Sequence, residues 1–356
     1  MKEKQSKRLI YILLVVPIIF ISVFTYSISQ PSKLLPPKEL VILSPNSQAI
    51  LTGTIPAFEE KYGIKVKLIQ GGTGQLIDRL SKEGKQLKAD IFFGGNYTQF
   101  ESHKALFESY VSKNIHTVIP DYIHPSDTAT PYTINGSVLI VNNELAKGLT
   151  IKSYEDLLQP SLKGKIAFAD PNTSSSAFSQ LTNILLAKGG YTNPKAWNYV
   201  KKLQHNINAI KSSSSSEVYQ SVAEGKMIVG LTYEDPSVNL QKSGANVSIV
   251  YPTEGTVFVP SSVAIIKNAP SMKEAKLFIN FMLSLDVQNA FGQSTSNRPI
   301  RKDAQTSNRP IRKDAQTSNG MKALKDIATL KEDYRYVTKH KGQILKTYNR
   351  IRRNAD

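Results

Sequence analysis

The sequence predicts an α/β protein built of two doubly wound lobes, and three observations carry that expectation. Short apolar runs alternate with amphipathic stretches of helical period from Glu39 onward. A fresh set of such elements begins after Pro131, and a long strand-like segment from 257 leads back toward the first set. A chain of 356 residues, 40% apolar, is long enough for two lobes with a core each.

The N-terminal end is read first. Residues MKEKQSKR are basic and Leu9 to Ile28 is an apolar run, so 1–29 is expected to be a signal peptide or a membrane anchor in the form of an apolar helix. Signal-peptide cores run about 7 to 15 residues, shorter than this run, while Ser27-Ile28-Ser29 offers a cleavage site. Either reading makes the chain extracytoplasmic, secreted or periplasmic if cleaved and anchored in the cell membrane if not. There is no cysteine, so no disulfide and no lipidated cysteine can form. Pro31, Pro36 and Pro37 make 30–38 a stiff linker.

Folded structure is expected from Glu39. ELVILSP reads as a buried strand, Ile55 to Tyr62 as a helix stopped by Gly63, KVKLIQ (65–70) as a strand, Gln75 to Glu83 as a helix and ADIFFGG (89–95) as a third strand. TINGSVLIVNN follows as a long strand, then helices near 175–188 and 195–203, then MIVGLTY as a strand. VFVPSSVAIIK (257–267) is strand-like, and Ser271 and Glu274 have the spacing of a capping box before Phe278, Met282 and Leu285. The expected division is 39–131 plus 258–292 for lobe 1 and 132–257 for lobe 2. With two crossings between the lobes, the cleft is the expected ligand site.

An eleven-residue repeat, TSNRPIRKDAQ, occupies 295–305 and again 306–316, and 293–320 is read as a duplicated basic surface loop. Added loop length costs only roughly 0.6 kcal/mol per doubling, so the duplication is expected to be tolerated. In 321–356, Leu324, Ile327 and Leu330, then Ile344, Leu345, Tyr348 and Ile351, predict two basic amphipathic helices. Thirteen of the seventeen net positive charges fall in 1–8, 298–314 and 321–356. Basic residues at the ends of an exported chain do not make the aromatic-interleaved face of a nucleic-acid binder. Anionic lipid, wall polymer or plain solvation suits them better.

Four loops fall at the ends of predicted strands, where open α/β sheets place ligands. They are Ser44-Pro45-Asn46-Ser47; Gly71-Gly72-Thr73-Gly74, whose glycines let backbone N–H groups approach a bound group; Asp170 to Ala177; and Thr232 to Pro236 with Tyr233 and Glu234. In the third, Ser174, Ser175 and Ser176 open a helix, a start that presents unpaired N–H groups, hydroxyls and the positive end of the dipole to an anion. The serine run 212–216 reads as a polar loop capping a helix from Glu217. No HExxH or GxSxG occurs, and His103, His116, His124, His205 and His340 have no metal-ligand spacing. Catalysis and a resident cofactor are therefore not expected.

Taken together, ILSPNS, IQGGTGQLIDRL, ADIFFGGN, GKIAFADPNTSSSAF, VGLTYEDP, VFVPSSVAIIKNAPSMKEAKLFINFML and TSNRPIRKD resemble the extracellular solute-binding proteins of bacterial ABC importers, over roughly 39–316. The resemblance is to the cluster that binds ferric ion, phosphonates and phosphosugars. It implies a Venus-flytrap fold of the periplasmic-binding-protein type 2 class, a two-segment hinge, a monomer that closes on a small ligand, and docking on a permease driven by an ATPase. It also implies that Asn46, Gly72, Thr73, Gly74, Asn96, Ser174, Ser175, Ser176, Ala177, Tyr233 and Glu234 meet the ligand. Ferric binders of the family typically carry a histidine in the first loop and adjacent tyrosines in the fourth, where this chain has Asn46 and Tyr233-Glu234. A phosphorylated organic anion on the serine helix is therefore expected, with Fe(III) on Tyr233 and Glu234 the alternative. A membrane-anchored sensor or adhesion role is the other class left open.

Overall fold

Residues 38–207, 214–294, 296–304 and 322–354 are described by a computed structural model. The apolar run 9–28, the linker before Lys38, the first two residues of the serine run and the second copy of the repeat lie outside the described residues. Among the described residues no helix is long and apolar enough to cross a membrane.

In chain order the first elements are β1 (Glu39–Ser44), α1 (Gln48–Tyr62), β2 (Lys65–Gln70), α2 (Thr73–Glu83), β3 (Ile91–Asn96), α3 (Tyr97–Ser102) and β4 (Phe107–Glu108). Helix α1 starts seven residues before the expected Ile55, with Pro56 inside it. It stops where expected: Gly63 adopts φ 63° and its N–H donates to the Glu59 carbonyl, a left-handed cap that glycine adopts without steric cost. Next come β5 (Thr130–Asn142), β6 (Ile166–Phe168), α4 (Ser175–Ala187), α5 (Pro194–Gln204), α6 (Ser215–Ala223), β7 (Val229–Tyr233), α7 (Glu234–Lys242) and β8 (Val247–Val250). The chain closes with β9 (Thr256–Ile266), α8 (Met272–Met282), α9 (Leu285–Ser294), β10 (Arg298–Pro299), β11 (Thr329–Leu330) and α10 (Tyr334–Arg353).

The main sheet runs β2-β1-β3-β9-β5-β7-β6. The expected parallel winding holds within each half, where β1 lies parallel to β2 and β3, and β6 parallel to β7. It breaks at the two long strands. β9 runs antiparallel to β3, and β5 runs antiparallel to both β9 and β7. The first part of β5, to Gly136, pairs with β9, and the part from Ser137 pairs with β7, so this one strand belongs to both halves. A strand that enters one half from the other arrives against the local direction, which is why the sheet is mixed.

Each half has its own apolar core. One packs Leu40, Ile42, Ile91 and Phe93 under α1 and α8, with Phe58 edge-on to Phe278 at 5.0 Å between ring centroids. The other packs Leu139, Ile166, Phe178, Leu181 and Val229, and α10 adds Val337, Ile344 and Tyr348 to it.

Three expectations need correction. The capping box at α8 does not form: Ser271 Oγ donates to the Glu39 carbonyl and Ser271 N–H to Asp90 Oδ1, so the pairing partners are distant in sequence. The first of the two C-terminal helices is instead a 3-10 turn at Leu324–Asp326 followed by β11, which finds a partner edge in β9. The first copy of the repeat is no surface loop. Ser296 to Ile300 are buried, β10 pairs with β5, and the Arg298 carbonyl accepts from Thr133 Oγ1 at 2.6 Å.

Candidate ligand-binding site

A cavity of about 450 Å³ opens where the C-terminal ends of β1, β3 and β7 meet the two long strands. Its lining is built from the starts of four helices. Ser47 and Gln48 come from α1, Gly72, Thr73 and Gln75 from α2, Ser174 to Ser176 from α4, and Ser214 to Glu217 from α6. Asn135 and Ser137 of β5, Val259 and Ser261 of β9, and Tyr219 and Tyr233 complete the wall. Four helix N-termini converging on one space give it a positive potential without a basic side chain. Among the described residues no Lys, Arg or His lines it, and Glu217 is the one carboxylate that does.

The serine start of α4 is a formed N-cap. Ser174 Oγ accepts from the Ala177 N–H at 3.3 Å and shares a hydrogen bond with Ser176 Oγ at 3.1 Å. Ser175 Oγ reaches Thr73 Oγ1 at 3.1 Å. The backbone N–H groups of Ser175 and Ser176 have no protein partner among the described residues, as the first turn of a helix dictates. The loop before it is held by Asp170, whose carboxylate accepts from Asn172 and from Arg352 Nη1 at 2.7 Å. Burial raises the pKa of Asp170, but the Asn172 bonds and the Arg352 guanidinium outweigh it and hold the acid below its usual range.

Several expected residues meet at this cavity: Asn46, Gly72, Thr73, Asn96, Ser174, Ser175, Ser176 and Tyr233 line it. Asn46 is held from both ends of its amide, donating from Nδ2 to the Phe93 carbonyl at 3.0 Å and accepting from the Tyr132 hydroxyl at 2.9 Å. Asn96 caps α3 and donates from Nδ2 to Ser179 Oγ at 3.0 Å. Three expected residues lie outside the lining. Gly74 donates its N–H to the Thr173 carbonyl at 2.8 Å, joining α2 to the loop before α4. Ala177 is buried and its N–H serves the cap. Glu234 turns away altogether: it is fully buried, holds Arg298 through two bonds of 2.8 and 2.9 Å, and is also bonded by the Tyr251 hydroxyl. A carboxylate buried from water needs such a partner.

Sequence reasoning missed two contributors. Ser214, Ser215 and Ser216 open α6 as the serines open α4, with Ser214 Oγ and Ser216 Oγ 2.7 Å apart but without the side-chain cap that Ser174 makes. The serine run was the available signal, and the helix begins two residues earlier than the expected Glu217. Asn135, 5% exposed, donates from Nδ2 to Ser261 Oγ at 3.2 Å, and its Oδ1 has no partner among the described residues. Nothing in the pattern of a long buried strand distinguishes that asparagine.

The chain matches the bacterial extracellular solute-binding protein family over residues 54–325, and it belongs to that family. It is therefore the substrate-binding component of an ABC importer, an extracytoplasmic protein that works with a permease and its ATPase. Among its relatives, the iron uptake protein A1 of Synechocystis is 28% identical over 262 residues, 68% of this chain and 70% of that one. The spermidine/putrescine-binding periplasmic protein of Escherichia coli is 26% identical over 267 residues, 70% and 75% of the two chains. The periplasmic binding protein AfuA of Actinobacillus pleuropneumoniae, solved with exogenous fructose-6-phosphate bound, superposes with a TM-score of 0.78 at 24% identity, over 89% of this chain and 99% of that one. The family members are substrate-binding transport proteins, not enzymes.

Proposed function

We propose that this importer component captures a small phosphorylated organic solute, such as a sugar phosphate or an aminoalkylphosphonate. The observation that carries the reading is the pair of unpartnered N–H groups at Ser175 and Ser176, beside three serine hydroxyls and Thr73, in a cavity without a basic side chain among the described residues. A phosphate has the charge and the acceptor oxygens to use every one of those donors. Asn135 also lines the cavity, and its buried Oδ1, without a partner among the described residues, would accept from a sugar hydroxyl or an ammonium that reached it. Gly72 and the Ser214 to Ser216 turn would assist, and Tyr233 would border the organic part. The halves would act as lobes that close on the solute as a monomer.

A polyamine suits the cavity poorly, since Glu217 is its one carboxylate among the described residues. Iron is the second reading, favoured by the phenols of Tyr219 and Tyr233 lining the same space. Its donor set is thin, because Glu234 is engaged with Arg298 and Fe(III) favours several anionic oxygens.

Calorimetry with fructose 6-phosphate and 2-aminoethylphosphonate tests the proposal. Either should bind the purified chain, and Ser174→Ala, Ser175→Ala and Ser176→Ala together should weaken it by roughly a hundredfold or more, about 1.5–3 kcal/mol per charge-assisted bond. Unchanged affinity in the triple variant sinks the assignment. A visible tyrosinate-to-iron band on adding ferric citrate, with no heat from either phosphorylated solute, would establish the second reading instead.

A further inference from the structure

Helix α10 contains no acidic residue and seven basic ones, and five of them share one face. Arg335, Lys339, Lys346, Arg350 and Arg353 are exposed and form no ion pair among the described residues. At about 100° per residue they fall within an arc of about 60°, along about 27 Å of helix. The exposed Gly342 and Gln343 sit among them, so the stripe carries no large apolar side chain. The two remaining cations are engaged elsewhere: Lys341 donates to Gln99 Oε1 at 2.8 Å and Arg352 to Asp170. Val337, Ile344 and Tyr348 bind the helix to the core and prevent it from rolling. The stripe is therefore held rigid and outward, 27 Å or so of unneutralised positive charge on a protein that works beside a membrane.

We propose that this stripe rests on the anionic phospholipid headgroups of that membrane. Charge complementarity selects the partner: a flat array of phosphates satisfies a straight row of five cations at once, whereas a small solute satisfies one or two. The absence of an apolar residue on the face sets the mode, which is electrostatic contact at headgroup level, without insertion. Such contact is lost as salt shortens the screening length.

The chain has no native cysteine, so Gln343→Cys accepts a single fluorophore beside the stripe. Energy transfer from it to a headgroup-labelled lipid is measured for the full chain on phosphatidylcholine vesicles, with and without about 30% phosphatidylglycerol, at low and at about 0.5 M salt. Transfer should rise severalfold with the anionic lipid and fall back in salt. It should lose that dependence in R335Q/K339Q/K346Q/R350Q/R353Q, whose melting temperature should match the parent; a control fluorophore at Lys82→Cys should show no such rise. Equal transfer on both vesicle types overturns the proposal, as does an anionic dependence that survives neutralising the stripe. Binding to soluble polyphosphate with no anionic-lipid dependence would overturn it in favour of a wall polymer.

Discussion

At the scale of single residues, two of the buried carboxylates contrast: Glu234 faces a cation and Glu332 does not. Glu234 and Arg298 neutralise each other at full burial, and Arg298 also lies 5.0 Å from the Phe258 ring centroid. Glu332 is different: it is buried beside Asp333, and Thr182 Oγ1 donates to it at 2.6 Å, but no cation compensates it in the pairs described. Burial pushes its carboxyl from 4.5 up to about 7, against the Thr182 bond. A raised acid contributes stability that is full below its unfolded pKa and is lost as pH rises through the folded one. The chain should therefore lose about 3 kcal/mol between pH 4.5 and 7 from this group alone. Glu332→Gln keeps the Thr182 bond and removes the titration, so thermal melts from pH 5 to 8 should decline less steeply in the variant. Parallel slopes in the two proteins would show that Glu332 does not titrate there. None of this is legible in the sequence, where Glu332 sits among exposed charges and Glu234 looks like a ligand carboxylate at a strand end.

At the scale of elements, local pattern was a good guide wherever the partner is local. The Gly63 stop, the serine start of α4 and the alternation of β1, β2 and β3 with helices follow from propensity and capping within a few residues. The repeat shows where that guide ends. Its composition reads as a solvated loop, yet Arg298, Pro299 and Ile300 of the first copy fill a slot between β5, the Glu234 carboxylate and Val118. Deleting 295–305 or deleting 306–316 yields the same sequence, since the copies are identical. That shortened chain should melt cooperatively within about 1 kcal/mol of the parent, because the slot keeps its arginine, proline and isoleucine and loop shortening changes little. A non-cooperative melt would mean that both copies are needed for the fold.

At the scale of the whole molecule, the two halves of the sheet are joined at the rim of the cavity as well as through β5 and β9. Ser47 Oγ donates to Asp235 Oδ2 at 2.6 Å, Asn96 Nδ2 reaches Ser179, and the Gly74 N–H meets the Thr173 carbonyl. Helix α10 lies along both halves, with Lys341 on Gln99 of α3 and Arg352 on Asp170. The Gly74 contact leaves no room for a side chain: a Cβ there would come within 2.9 Å of the Thr173 Cα and carbonyl oxygen. Gly74→Ala should hold this rim apart while leaving both cores untouched. Solute affinity should fall tenfold or more, the radius of gyration with solute should stay at its unliganded value in small-angle scattering, and the melting temperature should move by only about 2 °C. Parent-like affinity would remove Gly74 from closure.

The sequence by itself determined the α/β class and the order of most elements, because these depend on periodicity and capping over a few consecutive residues, and its loop motifs carried the resemblance to the family. Only the tertiary structure decided which polar groups are left to meet a solute. Glu234 and Asn46 are engaged by residues far away in the chain, while among the described residues Asn135 Oδ1 and the Ser175 and Ser176 N–H groups have no partner. A side chain's chemistry is local, but whether a hydrogen bond or ion pair already satisfies it depends on long-range packing, which no stretch of sequence contains.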